Sequence, residues 1–447
     1  MDLALHVEDR SPRGIAATVA RLVRSGELRP GDRLPTVREL ASRLAVSPAT
    51  VSGAWQALSA LGLVTSRGRA GTFVLPEPAS WLPPRYRDLA GGPGAARLDL
   101  STGTPDPALL PVLGPAMARV AARTHAADTA TYVSSPTIEP LERLLRESWP
   151  FQAQRITVVN GAMDGLSRTL EQVAGYGDRV AVEDPGFPPL FDLLDTLGLE
   201  RVPVPVDHQG MRPDRLVTAL RSGVAAIVLQ PRAQNPTGVS MSSTRARELA
   251  SAIRTRSTDA SLLVIEDDHS GAIASARPVS LGSYLPDRVV HVRSYSKSHG
   301  PDLRIAAVGG PATVLDRIVA RRMLGPGWTS RMLQQILVDL LTDDAALETI
   351  AEARSAYHDR QRALSAALAN HGLRVPPGDG INLWLPVRDE EAALVILEAA
   401  GVRVARGAPF RSGPLPAGAQ GHVRVTVGML SEDADAVAHL LAVAAAG

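Results

Sequence analysis

A single lysine suggests the first chemistry in this sequence. Lys297 is the only lysine among the 47 Lys and Arg residues, so every other basic side chain of this kind is arginine. A guanidinium stays protonated and is a poor nucleophile, whereas a lysine amine can lose its proton and attack a carbonyl to form a Schiff base. Lys297 is therefore a candidate for covalent chemistry, and the alternative is a chance survivor of arginine-biased codon usage.

Polar residues follow five strand-like segments of the chain. Such segments end at Asp267 in LLVIED and at Ser294 in VVHVRS, and others end shortly before Asn235, Gly161 and Phe187. In an open α/β sheet, ligands bind beyond the carboxyl ends of the strands. We therefore expect the five strand ends to line one pocket around Lys297.

The residue types in this predicted pocket match the needs of pyridoxal phosphate. The cofactor requires a lysine for its aldehyde and a carboxylate that keeps its ring nitrogen protonated, which Lys297 and Asp267 can supply. Its phosphate prefers the free N–H groups of a helix N-terminus. The further contacts that we predict are phosphate binding by Ala162, Met163, Ser294 and Arg304, ring stacking by Phe187, and donation to the phenolic oxygen by Asn235.

The order of these motifs resembles that of a known enzyme family. SYSKSHGPDLR, QNPTG, EDPGF and IEDD are similar to signature segments of the fold-type I aminotransferases of class I and II, and the resemblance covers residues 98–447. It implies that Arg424, in HVRVTVG, holds a substrate carboxylate. It also implies cofactor binding by Asn235, Asp267, Ser294, Lys297 and Arg304. The chain departs from the family at His269, which stands where a tyrosine usually donates to the phenolic oxygen.

Several of these side chains also have an ordinary structural interpretation. Asp267 is followed by Asp268, and consecutive strand residues face opposite sides, so we expect only one of them to reach the cofactor and favour Asp267. Phe187 fits a hydrophobic core, Arg424 fits a salt bridge on a strand, and His269 fits a hydrogen-bonded structural histidine. For Phe187 and Arg424 we favour the role in the pocket, whereas for His269 both interpretations stay open.

The elements that position the pocket can be predicted from alternating patterns after Leu98. Short β-branched runs alternate with helical stretches such as MDGLSRTLEQVA, which predicts a mostly parallel sheet with helices on both faces. A long helix around EARSAYHDRQRALSAALANHG and the strands INLWLPV and HVRVTVGML predict a small α+β subdomain from about residue 350 to 447. Residues 76–97 are rich in Pro, Gly and Ala, which is typical of a linker.

Residues 1–75 have the pattern of a winged helix-turn-helix. A first helical segment is followed by TVRELASRLA, in which Thr36 and Glu39 form a predicted capping box. Ser47 is a predicted N-cap for a third helix that ends at Gly62, and a β-hairpin follows around Arg67.

Positive charge is concentrated in this N-terminal unit. Residues 1–75 hold ten arginines and six acidic residues, although the net charge of the whole chain is only +1. Arginines favour contacts with phosphates and with the minor groove, and polar residues on the third helix favour base edges. The alternative is a helical protein–protein module. The candidate DNA-binding residues are Arg33, Arg38, Ser47, Thr50, Ser52, Arg67 and Arg69.

The segment GELRPGDRLPTVRELASRLAVSPATVSGAWQALSALGLVTSRGRAGTFV resembles the GntR-type winged helix. A GntR-type reader joined by a linker to an aminotransferase-like domain is the arrangement of the MocR subfamily of bacterial transcription regulators. The resemblance implies a homodimer, double-stranded operator DNA as a partner, and a large domain that senses pyridoxal 5′-phosphate or an amino compound.

Our leading hypothesis is a DNA-binding regulator that senses this effector through imine exchange at Lys297, with domain closure moving the winged helices. The first alternative is an active pyridoxal phosphate-dependent aminotransferase that retains a winged helix, and the second is a scaffold that only dimerises the reader. The absence of cysteine excludes disulfides and thiolate metal sites, and we predict no metal centre. Because the N-terminus lacks a secretory pattern and no apolar run is long enough to span a bilayer, we expect a cytoplasmic protein.

Overall fold

The structure, a computed structural model, describes most of the chain. The described residues are 2–60, 62–66, 70–75, 82–89, 96–125, 130–256, 262–416, 418–430 and 433–447. Arg67 and Arg69, which we predict to contact DNA, lie outside these ranges, as do residues 76–81 and 90–95 of the predicted linker. Within the described ranges, no helix is long and apolar enough to cross a membrane.

The N-terminal unit folds as the sequence predicts. It contains α1 (Pro12–Arg24), α2 (Val37–Leu44), α3 (Pro48–Ala60) and a hairpin of β1 (Val64–Ser66) and β2 (Thr72–Val74). The two strands pair antiparallel, with Val64 opposite Val74. The capping box of Thr36 and Glu39 is present at the start of α2. Trp55 of α3 is fully buried among apolar side chains of all three helices, which holds the helices and the hairpin around one core.

A short helix, α4 (Pro84–Leu89), follows within the segment that we interpret as a linker. A single strand, β3 (Leu98–Leu100), then precedes α5 (Leu113–Arg123) and α6 (Glu139–Ser148).

The large domain is built on one sheet that has eight strands in the described part of the chain. Their order is β4-β11-β10-β9-β8-β5-β6-β7. The five strands from β10 to β6 are parallel to one another, whereas β4, β11 and β7 meet their neighbours antiparallel. The bounds are β4 (Arg155–Val159), β5 (Arg179–Asp184), β6 (Glu200–Asp207), β7 (Gly210–Met211), β8 (Val224–Leu229), β9 (Leu263–Asp268), β10 (Val289–Ser294) and β11 (Ala306–Gly310).

Helices cover both faces of this sheet, as expected for buried parallel strands. One face packs on α7 (Ala162–Val173), α8 (Pro188–Thr196) and α11 (Ala312–Met323). The opposite face packs on α9 (Pro213–Leu220) and α10 (Ser243–Arg256), and beside β4 and β11 on α5, α6 and α12 (Arg331–Thr342).

The small domain follows the 27-residue helix α13 (Asp344–Asn370). Its remaining elements are β12 (Asn382–Val387), α14 (Glu390–Ala399), β13 (Val402–Arg406), β14 (Gly421–Thr426) and α15 (Ala434–Ala446). The strand order is β12-β14-β13-β3, so β3 from the start of the aminotransferase-like region completes a sheet formed near the C-terminus. This pairing is parallel, with Leu98 opposite Val402.

The winged helix rests on the large domain of the same chain. The Ser59 hydroxyl donates to the carbonyl of Thr196 at 2.7 Å, and the Thr65 hydroxyl donates to the carbonyl of Asp195 at 3.2 Å. The hydroxyls of Thr72 and Tyr176 lie 2.7 Å apart. The reader is therefore held mainly by the C-terminal end of α8.

Candidate functional site

Lys297 lies three residues beyond β10 and is partly buried. Its Nζ donates to the carbonyl of Gly103. Burial, together with the nearby Arg424 guanidinium and against the opposing effect of Asp267, lowers the pKa of the amine to about 8. A larger fraction of Lys297 is therefore neutral near physiological pH than for an exposed lysine, which is the form that attacks an aldehyde.

Asp267 occupies the end of β9 and is 2% exposed. Its Oδ2 accepts a hydrogen bond from Gln230 Nε2 at 2.8 Å, whereas its Oδ1 is buried and has no partner among the described residues. Burial raises the pKa of this carboxyl to about 6. Since an unsatisfied buried acceptor is costly, Oδ1 fits a ligand that brings an N–H donor, such as a protonated ring nitrogen.

Asp268 faces the other side of the sheet. Its carboxylate forms an ion pair with Arg232 at 2.6 Å and lies 3.7 Å from His291. Although burial opposes ionisation, the neighbouring His291 and the charge of Arg232 lower the pKa of Asp268. The partners of Asp268 are thus supplied by the protein, which supports our choice of Asp267 as the cofactor partner.

The start of α7 brings together residues that we predict to bind the phosphate. Gly161 is the N-cap with φ 94°, and a Cβ built there would lie 2.7 Å from Nη2 of Arg304. Arg304 is itself left-handed, with φ 52°, and donates to the carbonyl of Asn160 at 3.1 Å. Ala162 and Met163 form the first turn of the helix. Ser294 is buried at the end of β10, and its hydroxyl accepts from the Ser296 N–H at 3.2 Å.

Arg424 brings a buried cation from the small domain to the same pocket. It lies on β14 and is 2% exposed, its Nη1 donates to Asn235 Oδ1 at 3.5 Å, and its Nη2 donates to the carbonyl of Ser101. Its Nε is buried without a partner among the described residues. Burial lowers the pKa of the guanidinium to about 10. A buried cation with neutral oxygen partners favours an incoming carboxylate.

Phe187 and His269 both lie near the other candidate residues. Phe187 is the N-cap of α8 and lines a small cavity together with Asp267. His269 Nε2 donates to the carbonyl of Ala233 at 2.8 Å. Burial lowers the pKa of His269 to about 4, and the charge of Lys297 contributes. The neutral ring therefore has its proton on Nε2, and its Nδ1 is left as an acceptor.

Two residues of the site escaped the sequence interpretation. Gln230, the residue after β8, connects Asp267 to Asn235, and Glu183 of β5 accepts the backbone N–H of Gln230 at 3.0 Å. The signal in the sequence is weak. Gln230 directly precedes Pro231 at the end of an apolar run, and Glu183 is an acidic residue inside one.

The predicted DNA-binding residues of the described region lie on the outer surface of the winged helix. Arg33 and Arg38 are exposed, and a Cβ at Gly71 of the hairpin would lie 2.8 Å from Arg33 Nε. Ser47 caps α3, because its hydroxyl accepts the N–H of Thr50 at 3.1 Å. Ser52 is partly exposed one turn further along. The N-terminal end of α3 is thus exposed in the described structure, while Ser59 near its C-terminal end contacts the large domain.

Comparison with known proteins agrees with both halves of the chain. Residues 96–441 match the family Aminotransferase class I and II, and residues 13–74 match the bacterial regulatory proteins of the gntR family. The α-aminoadipate aminotransferase LysN of Thermus thermophilus has a similar structure, with a TM-score of 0.69 and 22% identity, covering 81% of this chain and 94% of LysN.

Two regulators are similar over most of their length. The vitamin B6 salvage pathway transcriptional repressor PtsJ of Salmonella typhimurium is 35% identical over 410 residues, which cover 90% of this chain and 92% of PtsJ. The pyridoxine biosynthesis transcriptional regulator PdxR of Corynebacterium glutamicum is 27% identical and covers 82% of this chain and 80% of PdxR. Membership of the aminotransferase class I and II family implies dependence on pyridoxal phosphate, and the gntR-type domain implies DNA binding. The chain belongs to the MocR-type transcription regulators, in which a GntR winged helix precedes a class I and II aminotransferase domain.

Proposed function

We propose that this regulator binds pyridoxal 5′-phosphate at Lys297 and reports its occupancy to operator DNA through the winged helix. The observation that carries the proposal is a set of three polar groups in one pocket, each of which suits one group of a ligand. These are the Lys297 amine with its lowered pKa and, among the described residues, the Asp267 oxygen without a donor and the Arg424 guanidinium without a carboxylate. Each is matched by one group of the cofactor or of an amino acid.

Each residue of the pocket has its own proposed contact with the cofactor. When bound, the cofactor supplies an aldehyde for the Lys297 amine and a ring that withdraws electrons. Asp267 accepts from the ring nitrogen, Phe187 covers the ring, and Asn235 donates to the phenolic oxygen. Contacts to the phosphate come from Ala162, Met163, Ser294 and Arg304. His269, with Nδ1 as an acceptor, takes part in binding only where the ligand brings a donor.

The effector that we propose is a vitamin B6 compound or an amino compound that exchanges with Lys297. The names of PtsJ and PdxR concern vitamin B6 salvage and pyridoxine biosynthesis, which favours pyridoxal phosphate itself. An amino acid would in addition place its carboxylate on Arg424. Because Arg424 belongs to the small domain and Lys297 to the large domain, such a ligand draws the two domains together.

We further propose that the protein is a homodimer. Support comes from large apolar side chains left exposed beside α5 and α12 and at the C-terminal end of α11, and the rings of Tyr132, one of them, and Trp328 lie 6.2 Å apart. Large exposed apolar patches are typical of interaction surfaces. They include Val112, Met117, Tyr132, Val133, Leu324 and Met332. Light scattering of the purified protein, compared with Val133→Asp and Leu324→Asp variants, tests this arrangement.

One experiment tests both the covalent site and the sensing. The purified protein and its Lys297→Ala variant are titrated with pyridoxal phosphate, reduced with borohydride and digested. We expect a pyridoxyl mass on the Lys297 peptide of the wild type alone. Binding to a fragment of the gene's own upstream DNA is then measured with and without the cofactor. Identical DNA affinity in all states would refute sensing.

The same preparation separates regulation from catalysis. Amino acids are added to the loaded protein, and transfer of the amino group to an added keto acid is followed over time. Sustained turnover without specific DNA binding would favour the alternative of an active aminotransferase.

A further inference from the structure

Gln230 makes three hydrogen bonds with three different parts of the pocket. Its side-chain Nε2 donates to Asp267 Oδ2 at 2.8 Å, and its Oε1 accepts the backbone N–H of Asn235 at 2.8 Å. Its own backbone N–H donates to Glu183 Oε2 at 3.0 Å. The side chain is 6% exposed. It therefore forms a buried bridge between the Asp267 carboxylate and the backbone of Asn235, the two residues that we propose for the ring nitrogen and the phenolic oxygen.

The orientation of this amide is determined by its neighbours. The Asn235 N–H can only donate, so the amide oxygen of Gln230 must point at it. The NH2 group then points at Asp267, which has to accept. A hydrogen bond donated to a carboxylate favours its charged form. Gln230 thus favours an ionised Asp267 and leaves Oδ1, the atom without a partner, available for the ring nitrogen.

Glu183 accepts the backbone N–H of Gln230 and has little electrostatic effect on the ionisation of Asp267. It is 5% exposed, and burial raises the pKa of its carboxyl to about 8, against hydrogen bonds from Gln230 and Gln234. The acid is mostly neutral at pH 7, so it places little negative charge beside Asp267. Glu183, Gln230, Asp267 and Phe187 line the same small cavity, which brings the bridge next to the ring-binding surface.

We propose that Gln230 is a positioning residue that sets the separation of Asp267 and Asn235, the two residues proposed to contact the cofactor ring, and the protonation of Asp267. This role rests on the proposed function, because it has meaning only if pyridoxal phosphate binds at Lys297. Gln230 acts through its two neighbours and makes no contact with the cofactor itself. Its loss should therefore have an effect of the same direction as a change of Asp267, and smaller.

The test compares variants of two buried glutamines. Gln230→Leu removes the bridge. Gln361→Leu removes another buried side-chain amide, which donates to the carbonyls of Gly380 and Asn382. Wild type, both variants and Asp267→Asn are loaded with the cofactor and compared in three measurements, and a separate loaded sample of each is reduced with borohydride and digested to locate the attached cofactor. The three measurements are the affinity for pyridoxal phosphate, the ratio of the visible absorbance bands of the bound cofactor, and the thermal stability of the unloaded protein.

We expect Gln230→Leu to bind the cofactor about tenfold more weakly, the effect of losing one hydrogen bond to a charged group. Its absorbance ratio should change in the direction of Asp267→Asn, and Gln361→Leu should keep the wild-type ratio. The isosteric Gln230→Glu variant preserves the packing and serves if Gln230→Leu does not fold. It should show the same direction, because an acid beside Asp267 favours protonation of that carboxylate.

The outcomes separate this inference from the proposed function. Attachment of the cofactor to wild-type Lys297 with an unchanged absorbance ratio in both Gln230 variants would overturn the role of Gln230 alone. An absorbance change in Gln361→Leu as large as that in Gln230→Leu would also overturn it. Absence of a pyridoxyl mass on the wild-type Lys297 peptide would overturn both proposals.

Discussion

Replacing Asp267 with asparagine should stabilise the protein without cofactor while weakening its hold on the cofactor. Asp267 is 2% exposed, one of its carboxylate oxygens has no partner in the described part of the chain, and burial raises its pKa to about 6 from an ordinary 3.8. Each tenfold change in proton affinity corresponds to about 1.4 kcal/mol, so ionisation of Asp267 destabilises the unloaded fold by about 3 kcal/mol.

The pH dependence has a definite sign. The folded state holds the Asp267 proton more tightly than the unfolded chain, so the contribution to stability is complete below pH 3.8. It is lost as the pH rises to about 6 and stays lost above that value. We therefore expect Asp267→Asn to exceed the wild type in free energy of unfolding by about 3 kcal/mol at pH 8. The difference should vanish near pH 4.

The assay is urea unfolding of the cofactor-free protein at several pH values, together with a cofactor titration at pH 8. Asp268→Asn is a matched control on the next residue, because that carboxylate is paired with Arg232 and its pKa is lowered. Its loss should destabilise the fold at pH 8. An Asp267→Asn variant that is no more stable than the wild type at pH 8 would refute the argument from burial.

Three further predictions follow from the geometry. The rate of cofactor attachment to Lys297 should rise with pH through about 8 and then level off, because the neutral amine is the attacking form; a rate constant from absorbance that is flat between pH 6 and 9 would contradict this. Gly161→Ala should bind pyridoxal phosphate about tenfold more weakly in a fluorescence titration, because Gly161 has a positive φ and a Cβ there would clash with Arg304. Gly223→Ala is the control and should keep the wild-type affinity, because Gly223 also has a positive φ but has open space around it. Tyr176→Phe removes the hydrogen bond to Thr72, which is worth about 1 kcal/mol, so the amide hydrogens of β2 should exchange with solvent about fivefold faster. Unchanged hydrogen exchange would show that this contact does not hold the winged helix on the large domain.

The parts of the fold that follow from local pattern were predictable from the sequence. The six strand segments RITVVNG, RVAVED, GVAAIVLQ, LLVIEDD, VVHVRSYS and IAAVGG all form strands of the large sheet, and the winged helix has its predicted helices and hairpin. Burial and capping act over a few residues, so they leave a pattern in the chain. The gathering of strand ends around Lys297 was also predictable, because parallel strands bring their carboxyl ends to one edge.

Contacts between distant segments could not be predicted in this way. Nothing in the short run LDL indicates that Leu98–Leu100 pairs with Val402–Arg406 of the small domain. Gln230 has an ordinary local environment, and its role depends on Glu183 of β5, Asp267 of β9 and the backbone of Asn235. The roles of the individual pocket residues remain predictions, as do the domain boundaries.

Helix α8 connects the candidate pocket to the winged helix. Phe187 precedes its first turn, and Thr196, its last residue, accepts the Ser59 hydroxyl of the winged helix. Nine residues at 1.5 Å each span about 13 Å. Phe187 and the contact with the winged helix are therefore separated by the length of one short helix, so a change in the position of this helix would alter both.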